Sequence, residues 1–108
     1  MSVEIYGVDD SASDFRSIGV SAEETFNTIW QGAIDALGLR LIGNMKWLYK
    51  KDLPEILSEF EQVREYVWKD RNISEAVRES IREHVDYIVK DLEENWDECP
   101  GADRLWMG

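Results

Sequence analysis

The chain has 108 residues, 44% hydrophobic and 32% charged, which suits one globular domain around one core and argues against disorder. Twenty-three acids against 12 bases leave a net charge of -11, which argues against direct contact with nucleic acid or an anionic membrane and favours a basic partner or mere solubility. A lone cysteine, Cys99, rules out an internal disulfide and a cysteine-built metal framework.

The opening residues, MSVEIYGVDD, lack the basic and then apolar stretch of a secretion signal. No apolar run approaches the length needed to cross a bilayer, so the expected location is the cytoplasm. Val3 to Val8 alternates loosely and reads as a strand, Asp9 to Asp14 as a polar turn, and Phe15 to Val20 as a second strand that makes a hairpin with the first.

Ser21 opens a helix, with Glu24 at capping-box spacing. Phe26, Ile29, Trp30, Ala33, Ile34 and Leu37 share one face, and Gly38 supplies a left-handed stop. Gly32 inside the helix suggests close packing. For Leu39 to Lys50, the Gly43-Asn44 turn signal between LRLI and MKWLYK favours a hairpin, with a helical extension as the alternative.

Asp52 and Glu55 repeat the capping spacing, and Pro54 sits in a first turn where its missing N–H costs nothing. Leu53, Ile56, Leu57, Phe60, Val63 and Val67 then form an apolar stripe to about Lys69. Asn72 and Glu75 offer a third capping pair. From there Ala76, Val77, Ile81, Val85, Ile88, Val89, Leu92 and Trp96 run down one side of a long helix that Pro100 and Gly101 end. The tail, with Leu105, Trp106 and Met107, is expected to fold back onto the core. The fold class is therefore α+β: helices at about 22–37, 53–69 and 73–97, with one or two short antiparallel hairpins from strands within 1–20 and 39–50.

The charge is uneven along this plan. Residues 1–25 carry -5, residues 26–50 carry +2, residues 51–74 carry -2 and residues 75–98 carry -6. On a wheel centred on Leu92, Glu75, Glu79, Glu83, Asp86, Glu93, Glu94 and Asp97 fall at about 100–200°, with Lys90 the only base among them. Arg78 and Arg82 lie nearer the apolar border, where their stems can cover core edge. Tyr87 projects at about 220°, beside this ridge, and Tyr66 projects outward from the second helix. An aromatic among carboxylates suits a contact surface, and so would any of the five tryptophans left outside the core. The plainer alternatives are that the ridge is only a solvated face, and that the hairpins or the tail cover the tyrosines. The candidate partner-binding residues are Glu79, Glu83, Asp86, Tyr87, Glu93, Glu94 and Asp97.

No catalytic residue, cofactor or metal ligand is assigned. His84, the one histidine, sits at the edge of an apolar stripe and reads as structural. Cys99 follows the carboxylates Asp97-Glu98, a setting that does not favour a reactive thiolate, so a Cys/His nucleophilic pair is poorly supported. The metal and nucleotide motifs fail on spacing, and the carboxylates sit on a convex face unsuited to acid–base work.

The run from Trp47 to Val67, WLYKKDLPEILSEFEQVREYV, resembles a segment of bacterial immunity proteins from polymorphic-toxin and contact-dependent inhibition systems. In those proteins a short aromatic strand leads through a small turn into an acidic helix. The resemblance spans about a fifth of the chain and carries no ligand signature. It implies an α+β protein that binds a cognate toxin, often a basic nuclease domain, and blocks its working surface. Two other readings stand beside it: a nucleic-acid-mimicking or anti-defence inhibitor from a mobile element, and a small regulatory adaptor.

Overall fold

Val3 and Ile5 alternate with Glu4 and Tyr6, and a period of two sends the aliphatic pair inward. In the computed structural model, which describes residues 2–8, 15–99 and 101–108, this stretch is β1 (Ser2–Tyr6). It pairs antiparallel with β2 (Ile18–Ala22), so the N-terminal hairpin forms. The second strand lies later than the expected 15–20, and Phe15 is buried ahead of it. Val3 faces Ser21 while Glu4 faces Gly19, which makes Val20 the extra residue of a bulge. The polar turn expected at Asp9 to Asp14 falls outside the described residues.

The first helix, α1, covers residues 23–37 in three joined stretches: α-helical Glu23–Thr25, π-helical Phe26–Trp30 and α-helical Gln31–Leu37. Its expected capping box does not form. Ser21 is still paired within β2, its hydroxyl donates to the Ala22 carbonyl at 3.0 Å, and Ala22 takes the cap position. In the π-helical stretch Phe26 and Trp30 stack with centroids 5.6 Å apart, and Trp30 meets Phe60 edge-on at 6.0 Å. Each such ring pair adds about 0.5–1.5 kcal/mol beyond the area it buries. Gly38 ends the helix at φ 67°, as expected. Gly32 is exposed, with open space where a Cβ would stand, so it marks no close packing. Leu37, assigned to the apolar face, is also exposed.

The segment from 39 to 50 departs furthest from expectation, because no hairpin turns at Gly43-Asn44. Glu59, from the next helix, accepts the N–H groups of Leu41 at 3.0 Å and Ile42 at 3.2 Å, donors that a local strand ladder would have needed. Only Lys46–Tyr49 is extended, as β3, and it pairs with β4 (Arg104–Met107). The tail does return to the core, as that strand. Trp96 anchors the return by donating its buried indole N–H to the Ala102 carbonyl at 2.7 Å. Because β4 also pairs with β1, the sheet order is β2-β1-β4-β3, every neighbour antiparallel.

A 3₁₀ turn, Lys50–Asp52, leads into α2 (Leu53–Lys69), where Asp52 holds the cap position without a side-chain bond. The last helix, α3 (Glu75–Asp97), is capped by Ser74, whose hydroxyl accepts the Val77 N–H at 3.3 Å. Such a cap is worth about 1 kcal/mol. Asn72 is not the cap: its backbone N–H goes to Asp70 at 2.9 Å in a turn, and the helix begins only at Glu75, behind Ser74. Ile81, Val85, Ile88, Leu92 and Trp96 are buried beneath α3, whereas Ala76, assigned to the same stripe, is exposed. These residues join Ile56, Phe60, Val63 and Val67 of α2 and the inward face of the sheet in one core. The outward face of the sheet shows Tyr6, Trp47, Tyr49, Arg104 and Trp106.

Candidate partner-binding surface

Burying the Ile81-to-Trp96 stripe against α2 and β2 fixes which way the rest of α3 points. Twenty-three residues of helix make a rod about 34 Å long. Glu79, Glu83, Asp86, Tyr87, Glu93, Glu94 and Asp97 are all exposed along its outer side. The helix wheel thus placed all seven on the surface, on one element. Neither hairpin nor tail covers the tyrosines: Tyr87 is 57% exposed and Tyr66 is 40% exposed.

Two of the six carboxylates in this set have cationic partners. Arg64 of α2 crosses to Asp86, and Arg82 lies 3.6 Å from Glu79 one turn away. The hydrogen bond to Asp86, helped by the charges of Asp86 and Glu65, raises the Arg64 guanidinium above its ordinary pKa against a smaller desolvation effect. Glu83, Glu93, Glu94 and Asp97 have no ion pair within 4.0 Å among the described residues, and Lys90 has none either. Carboxylates four apart, such as Glu79/Glu83 and Glu93/Asp97, repel by a few tenths of a kcal/mol per pair. A cationic partner would relieve that repulsion.

Arg78 and Arg82 cover an aromatic, as their border position suggested. Their guanidinium carbons sit 5.6 and 4.6 Å from the Trp68 ring centroid, and Arg78 also donates to the Trp68 carbonyl at 3.0 Å. These two cations are held at the α2–α3 end, so along the rest of the flank the carboxylates meet only Lys90 and the Arg64 that reaches Asp86.

The sequence reading missed a concave strip beside the ridge, where α3 runs along β2. Asp91, Glu94, Asn95 and Glu98 line it with Arg16, and Glu83, His84 and Tyr87 line it with Gly19. Asn95 donates to the Arg16 carbonyl at 3.5 Å, tying the two walls together. Asp91 and Glu98 fall at about 240–260° on the same wheel, next to Tyr87, so their side was legible once β2 was placed.

His84 is exposed, and its Nδ1 sits 2.7 Å from the Ser80 carbonyl. A carbonyl only accepts, so Nδ1 carries the proton in that contact. Cys99 is half-buried against the core, its backbone tied to Trp96 and Ala102. Among the described residues no group of three His, Cys, Asp or Glu side chains is placed to hold a metal ion, and no helix is long and apolar enough to cross a membrane. No family model matches the chain, and no curated protein or solved structure matches it at a significant level.

Proposed function

We propose that this chain neutralises a cognate toxin, a basic nuclease-type effector, by direct contact through the outer flank of α3. One observation carries the reading: a single rigid helix exposes six carboxylates and Tyr87 on one side, and four of those carboxylates have no cationic partner among the described residues. Exposed faces ordinarily mix both signs. In a nuclease, lysines and arginines hold the phosphates of the substrate. Carboxylates docked on those cations would occupy the substrate's place, steer encounter at long range and raise the association rate. Tyr87 would supply an amphipathic anchor among the charges.

The test pairs the chain with a basic nuclease domain, sought first among the products of neighbouring genes, measuring nuclease activity and association rate as salt is raised. The expected result is inhibition, with an association rate that falls steeply with ionic strength. An association rate left unchanged when Glu83, Glu93 and Asp97 are reversed to lysine would overturn the proposal.

A further inference from the structure

Among the described residues both edges of the sheet lack a strand partner, and they differ. The β3 edge carries Lys46, with Lys50 and Lys51 following it, and lysines on an edge discourage added strands. The β2 edge, IGVSA, carries no charge at all. β2 pairs with β1 alone, and among the described residues Ile18 to Ser21 make no backbone hydrogen bond outside that ladder. Alongside this edge lie depressions of 330, 320 and 380 Å³; the first two share His84, and the third follows one turn further along α3. One wall is the β2 segment, from Ala22 back to Arg16. The other wall is α3, from Ala76 to Glu98. A strand edge thus runs beside a helical wall, with the depressions between them as a slot.

We infer that this slot takes an extended, lysine- or arginine-bearing segment of a protein partner, which adds as a strand to β2 and lays its cations against α3. The inference rests on the reading of α3 as the binding element and specifies how the partner engages it. Charge selects the occupant. The helical wall contributes Glu83, Asp91, Glu94 and Glu98, against Arg16 as the cation opposite. Alternate residues of an added strand point to opposite faces, so cations at every second position reach one wall. A second copy of β2, IGVSA, carries no cation and would leave these carboxylates unanswered. The occupant is therefore a foreign segment rather than a second copy. Gly19, where a Cβ would meet nothing within 4 Å, leaves the β2 wall without a side chain at that point.

The probe is a labelled octapeptide of alternating lysine and valine, compared with the same peptide N-methylated on alternate amides and with a glutamate–valine version. Binding is read by fluorescence anisotropy, and amide exchange is followed at Ile18 to Ser21. The expected result is binding by the lysine peptide only, roughly tenfold weaker on N-methylation, with slowed exchange along β2. Gly19→Lys, which the open space accommodates, should weaken binding about tenfold by placing a like charge in the slot. Arg16→Ala should tighten it a few-fold. If the N-methylated peptide binds equally well and the β2 amides exchange as before, while Glu83→Lys with Glu94→Lys still abolishes binding, strand addition is overturned and the acidic-flank reading survives. If that charge-reversed variant binds like the wild type, both fall together.

Discussion

The outer flank of α3 and the outward face of the sheet are both turned to solvent, yet their charges are used differently. On the sheet, Arg104 lies 4.1 Å from the centroid of Trp47, Lys51 lies 5.8 Å from that of Tyr49, and Trp47 meets Trp106 edge-on at 5.0 Å. Arg104 and Lys51 are engaged on rings there, and Trp47 on Trp106. On α3, four carboxylates of one sign stand without a counter-ion among the described residues, and Tyr87 has no ring contact there. Two exposed faces thus differ in what their charges meet: cations over rings on the sheet, and carboxylates mostly without counter-ions on the helix.

This contrast can be broken by substitution. The largest effect belongs to neither face but to the core under both. Trp30→Ala should cost about 3–5 kcal/mol in chemical denaturation and lower binding only through loss of folded protein. Next, reversing Glu83, Glu93 and Asp97 to lysine should slow partner association about 10–100-fold while leaving the unfolding free energy within about 0.5 kcal/mol of wild type. A large loss of stability without loss of affinity would show the flank to be structural. Trp47→Ala should do the reverse, costing about 1–2 kcal/mol of stability through its ring and cation contacts and leaving association unchanged. The smallest effect is expected at Arg64→Ala. An ion pair with a carboxylate as open as Asp86 contributes less than about 1 kcal/mol, and the variant should add one more unpaired acid to the flank and modestly speed association.

Much of the fold was legible because it rests on local periodicity. The apolar spacing from Leu53 to Val67 and from Ile81 to Trp96 gave two helices to within a few residues, and the alternation at Val3 and Ile5 gave β1. The charged flank followed from the same wheel. What was hidden depends on distant partners. Arg104–Met107 is four residues long, and only pairing with β1 and β3 makes it a strand. The loop before β3 read as half a hairpin because the sequence cannot show that Glu59, 18 residues beyond Leu41, takes its backbone donors. Capping-box spacings matched at three places, and none formed as read. Ser21 was held in a strand, Asn72 in a turn, and Asp52 entered from a 3₁₀ turn rather than from extended chain. Asp91 and Glu98 joined the candidate site only when β2 supplied the facing wall.

The place of β4 bears on how the molecule comes into being. It joins the β1–β2 hairpin to β3, yet it follows every other described element along the chain. A ribosome therefore releases the acidic helix before the strand that welds the two halves beneath it. Until β4 emerges, the nascent polypeptide carries its charged rod beside a sheet still in two parts.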